Sequence, residues 1–244
     1  MSQLKPNQVS DAETADSRWN WLYRIGGAAA VLSVVIVPIQ IVVFMAWPPP
    51  STMADWFTLF QNNGVVGLLA FEFLFVVDAA LGIPMILALY IALRRTSESF
   101  MAIALAVGLV ASVALITARP AFEMLYLSSQ YAAATTEAQR SIFLAAGEAM
   151  RATFYGTAFN TSNVLGNINL LIVALVMLRS KLFGKATAYM GILAGILGFA
   201  MYVPTVGLFL GILSALFLAI WRILIAVKFF QLGQGKPDGA ARKG

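Results

Sequence analysis

Six long apolar stretches constrain this chain more than any other feature of its sequence. They run from about Leu22 to Ala46, Gly64 to Leu93, Phe100 to Ala118, Tyr155 to Leu178, Ala186 to Val203 and Thr205 to Val227. A helix needs about 20 apolar residues, within a range of ~17–25, to cross a bilayer. Backbone polar groups in hydrocarbon must be satisfied internally, which leaves helices and closed barrels. The expected fold class is therefore all-α: a polytopic membrane protein, a six transmembrane helix bundle with an outer amphipathic helix.

Composition removes the alternatives. The 244 residues are 60% apolar and 11% charged, whereas an average soluble domain is about 25% charged. An ordinary soluble enzyme, a disordered chain and a nucleic-acid-binding domain are excluded on that ground. The lipid bilayer is the expected partner, and no nucleic acid is expected despite the net charge of +5. The chain has no Cys and no His. Disulfides, thiolate chemistry, Ser-His-Asp arrangements and His-built zinc sites fall together. No catalytic residue, cofactor or metal ligand is expected.

The order of segments divides the chain into three parts. Residues 1–18, with Asp11, Glu13 and Asp16, read as a disordered cytoplasmic tail; 19–233 form the membrane domain; 234–244 form a second cytoplasmic tail. The first apolar stretch is longer than the ~7–15 residues of a signal-peptide core and reads as a retained helix. With both termini cytoplasmic, only Arg119, Arg140 and Arg151 of the 16 Lys and Arg lie outside. That asymmetry follows the positive-inside rule, and the cell membrane is the expected location.

Between the first two spans, Met53–Phe60 places Trp56, Phe57 and Phe60 on one helical flank, which predicts a short interfacial anchor. Further on, Thr136-x-x-Gln139 matches a capping box. Behind it Ile142, Ala146, Met150 and Phe154 form a stripe of period four, predicting an outer amphipathic helix kinked near Gly156 before the fourth span. It reads either as a structural lid or as the cap of a ligand cavity. Gly191-x-x-x-Gly195 and Gly207-x-x-x-Gly211 fit helix packing better than phosphate binding, because both lie in apolar segments without a following Lys-Ser/Thr.

The second half carries a pattern. Arg179-Ser180-x-Leu182-Phe183-Gly184 precedes the Gly-rich Ala188-Tyr189-Met190-Gly191-Ile192-Leu193-Ala194-Gly195. The last span closes with Ile220-Trp221-Arg222-Ile223-Leu224, then Lys228-Phe229-Phe230-Gln231-Leu232-Gly233. With Ala118-Arg119-Pro120, this resembles the bacterial six-helix integral membrane family known only as domain of unknown function 4386. The resemblance covers residues 19 to 233 and implies a topology. It implies no activity and no catalytic residue.

The candidate ligand-binding residues come from polar groups inside the spans. An ionisable side chain at a helix centre costs about 2.5–3.5 kcal/mol on insertion scales, so it faces the bundle interior and has a partner. Glu72 and Asp78 sit in the second span. At ~1.5 Å per residue, Glu72 and Arg119 lie about 31 and 28 Å above the inner ends of their spans, which predicts a pair. Asn160, Asn163 and Asn167 share one face of the fourth span, with Glu148 and Arg151 above them. Phe71, Phe75, Phe159 and Leu165 could supply an apolar wall.

This layer reads in two ways. It is either a self-satisfied cluster that fixes helix packing or an outward-facing pocket for a small or amphipathic molecule. The alternative activity is a proton-coupled transporter using Asp78 or Glu72. A further alternative is a structural membrane subunit. An enzyme would have to work with carboxylates alone, for which no dense acidic motif is present.

Overall fold

A computed structural model describes residues 17–234, and among them every regular element is helical. After a short 3-10 turn at Ser17–Trp19 come α1 (Asn20–Ala46), α2 (Met53–Asn62), α3 (Gly64–Ala70), α4 (Phe73–Leu93) and α5 (Glu98–Thr117). Then follow α6 (Ala121–Ala133), α7 (Glu137–Phe154), α8 (Thr157–Arg179), α9 (Lys185–Ala200) and α10 (Gly207–Gly233). The tails expected over 1–18 and 234–244 fall almost wholly outside the described residues.

Five helical stretches are long and apolar enough to cross a membrane: Asn20–Ala46, Phe73–Leu93, Glu98–Ala133, Glu137–Arg179 and Gly207–Gly233. The fifth stretch expected from the sequence forms α9, which is apolar but has 16 residues. At ~1.5 Å per residue that is about 24 Å, short of the ~30 Å of hydrocarbon. Pro204 and Thr205, the latter with φ 72°, turn the chain between α9 and α10.

The chain forms two compact units. Their boundaries fall within α1, α4, α5 and α8, at positions given by 1–31, 84–106 and 167–244 for the first unit and 32–83 and 107–166 for the second. The first unit has a core of Tyr23, Leu89, Leu93, Met101, Val173, Met177, Ile225 and Phe229. Small residues let its helices close on one another. A Cβ on Gly191 would lie 2.9 Å from Ala174 Cβ of α8 and 2.7 Å from Trp221 Nε1 of α10. Gly191 and Gly195 thus serve packing against α8 and α10, whereas Gly207 and Gly211 face only Met201 in the turn before α10. Asn169 is buried here as well, donating to the carbonyl of Ala104 on α5.

The second unit has an aromatic core. Met53, Trp56, Phe57 and Phe60 of α2 meet Phe71, Met124 and Phe154, all buried. This corrects the expected membrane anchor: Trp56 and Phe57 are 6% and 0% exposed. An amphipathic flank needs an apolar neighbour, and here protein supplies it. The register of α7 is also corrected. Ile142 is 65% exposed, and the face turned to the core is Phe143, Gly147, Met150 and Phe154. Gly147 explains the rotation, because a Cβ there would stand 2.7 Å from Met53 Sδ and 2.8 Å from Phe57 Cζ. The capping box at Thr136 and Gln139 is present in full.

Candidate functional site

Three helix interruptions define the site, and all three lie in the second unit. The first corrects the continuous second span expected from Gly64 to Leu93. Helix α3 ends at Ala70, and α4 begins at Phe73. Between them Glu72 takes φ 60°, a left-handed backbone that costs a non-glycine residue roughly 1–2 kcal/mol. The break exposes carbonyls that a continuous helix would satisfy. Gln40 of α1, only 2% exposed, adds a side-chain donor at the break: its Nε2 donates to the Leu69 carbonyl at 3.1 Å, which also accepts the Glu72 N–H at 3.2 Å.

The other interruptions are Ala118–Pro120, between α5 and α6, and Tyr155–Gly156, between α7 and α8. Pro120 brings no N–H and disfavours helix at the residue before it, Arg119. Gly156 follows the final turn of α7, where its N–H reaches the Thr153 carbonyl at 2.9 Å.

Arg119 ties the interruptions together. Its side chain is 4% exposed, and its Nε donates to Glu72 Oε2 at 2.9 Å. Nη1 donates to the carbonyls of Ala118 at 3.3 Å and Phe154 at 3.2 Å. The guanidinium carbon lies 4.0 Å from the Phe154 ring centroid and 4.7 Å from that of Phe159. A planar, delocalised cation suits this combination of carboxylate, carbonyls and ring faces, and a lysine would not. The pair expected from equal heights is therefore present. It is also the ion that closes the last turn of α7.

Some valence at the site stays open. Among the described residues no hydrogen bond reaches Arg119 Nη2 or Glu72 Oε1. The Glu72 side chain keeps 20% exposure. Gln40 Oε1, by contrast, is fully enclosed without a partner.

The remaining expected residues are distributed more widely. Asn160 is half-buried and donates to the carbonyls of Tyr155 and Gly156 at 3.1 and 3.0 Å, completing the α7–α8 interruption. Asn163 donates to Phe159 O at 3.0 Å. Neither amide bonds to Glu72, Asp78 or Arg119. Asp78 is half-buried on α4, six residues beyond Glu72. Asn167 belongs to the first unit, where its side chain packs against Gly198 of α9. Glu148 and Arg151 pair with each other at 3.1 Å, and Arg151 also donates to the Ser51 carbonyl. Of the expected apolar wall, Phe159 faces the guanidinium, Phe75 and Leu165 are half-buried, and Phe71 is committed to the aromatic core.

Two contributors escaped the sequence reading. Gln40 is the one amide in the first apolar stretch, and that isolation was a usable signal. The Phe154 carbonyl carried none, because backbone acceptors have no side-chain signature.

No family model, no curated protein and no solved structure matches this chain. The class rests on fold and composition: an all-helical protein with five membrane-length apolar helices, the make-up of an integral membrane protein.

Proposed function

We propose that this protein binds a small amphipathic molecule at the polar layer around Glu72 and Arg119. The observation that carries the reading is the open valence of a buried ion pair. Arg119 Nη2 offers a donor and Glu72 Oε1 an acceptor, beside the ring of Phe159 and at interrupted helices. A few convergent polar groups against an apolar wall are the usual make-up of a small-ligand site. A head group that both accepts and donates, such as a carboxylic acid, hydroxyl or amide, matches the pair, and its apolar body would rest on Phe159 and Phe75. In this reading Asp78 and Asn163, half-buried on α4 and α8, extend the polar lining.

The same reading has six spans, with α9 and the turn after it completing the fifth. It places both termini in the cytoplasm of a cell whose membrane holds the protein, and the layer in the outer half of the bilayer. It also carries membership in the six-helix family that the sequence resembles. Mass spectrometry of the organic extract from purified protein tests the binding: a stoichiometric amphipathic species supports it. An extract with only bulk lipids at bilayer proportions counts against it.

A further inference from the structure

In the first unit, a groove of about 330 Å³ opens beside the start of α1 and the end of α4, lined by Arg18, Trp19 and Arg94. We infer that this groove binds the phosphate of an anionic lipid headgroup. It shares no residue with the Glu72–Arg119 layer and depends only on the protein being embedded in a membrane.

Three observations carry it. Arg94 follows directly on α4 and is half-buried, and among the described residues no carboxylate pairs with it. A half-buried guanidinium without a counter-charge is a site for an anion, and its planar fork suits phosphate oxygens. Arg18 puts a second guanidinium on the same groove. Trp19 fixes the level. Indole rings concentrate where headgroups meet hydrocarbon, and just beyond it Trp21 and Ile25 stand 71% and 40% exposed on α1. Basic pockets between helices at the headgroup level take anionic lipids by this combination.

The experiment is native mass spectrometry of the full chain in detergent, titrated with dioleoyl phosphatidylglycerol or dioleoyl phosphatidylcholine. The variants are Arg94→Gln, the double Arg18→Gln/Arg94→Gln, and Arg95→Gln/Lys181→Gln, which removes the same charge elsewhere. Each basic residue near a membrane surface contributes about fivefold in affinity. Phosphatidylglycerol adducts should therefore weaken about fivefold in the single variant and on the order of 25-fold in the double. They should persist in the control, and phosphatidylcholine should bind weakly throughout. A parallel titration with inorganic phosphate separates the sources. If phosphate alone binds with the same dependence on Arg18 and Arg94, the phosphate site stands with a soluble occupant. Equal retention of both lipids, or equal losses in the double variant and the control, overturns it.

Discussion

Arg119 and Glu72 are joined by a 2.9 Å ion pair that holds Glu72 in left-handed backbone at a helix break. One contact thus stabilises an unfavourable backbone, neutralises an otherwise buried cation and fixes where α3 gives way to α4. The side chain and the break depend on each other.

That dependence sets the first prediction. Breaking a buried pair from one side leaves an uncompensated charge, typically at about 3–5 kcal/mol, whereas removing both partners costs less. Arg119→Leu should lower the melting temperature in detergent more than Glu72→Gln/Arg119→Leu does. Glu72→Gly should be milder than Glu72→Ala by about 1 kcal/mol, because glycine adopts φ 60° freely. Additive single and double effects would contradict the coupling.

The second prediction concerns the close approach of α7 and α2. The Gly147 position leaves no room for a Cβ against Met53 and Phe57, and Phe57 is fully buried. Gly147→Val should destabilise the protein by about 1–3 kcal/mol, the usual range for overpacking. Met53→Ala in the same chain should recover part of the loss, since the flexible thioether is the nearer obstacle. A thermal melt of the three proteins decides it, and an unperturbed Gly147→Val would refute the packing.

How much of this was legible beforehand follows from what each residue signals. Span lengths are written in apolar runs, so α1, α5, α8 and α10 lie close to their expected places. The ion pair was legible because two charges at equal depth have few other ways to be satisfied. The break at Phe71–Glu72 was not. No Gly or Pro marks it, and the side chains that bond to it, Arg119 and Gln40, are both remote in sequence. Trp56, Phe57 and Phe60 announced an apolar face without saying whether lipid or protein covers it. The stripe on α7 was right at Met150 and Phe154 but one residue off in its first half, where Phe143 and Gly147 replace Ile142 and Ala146, because Gly147 contributes contact by having no side chain.

Topology gives the third prediction. With α9 spanning, both termini share a side; with five spans they do not. The absence of native Cys makes single-cysteine labelling free of background. Cysteines at Ser97, Gly184 and Lys236 should react from the cytoplasmic side, and one at Gln130 only from outside. A Lys236 cysteine labelled from the side of Gln130 would remove α9 from the spans.

The binding reading is tested most directly by retention of a fluorescent nitrobenzoxadiazole-labelled stearate by the full chain and its variants. Saturable binding at one site is expected. Asp78→Asn and Asn163→Leu should weaken that binding severalfold while melting temperatures stay within a few degrees of the parent. Binding that is unsaturable, or equal in parent and variants with all of them still folded, would contradict it. So would collapse of the fold in both variants, which would make the polar layer a packing device.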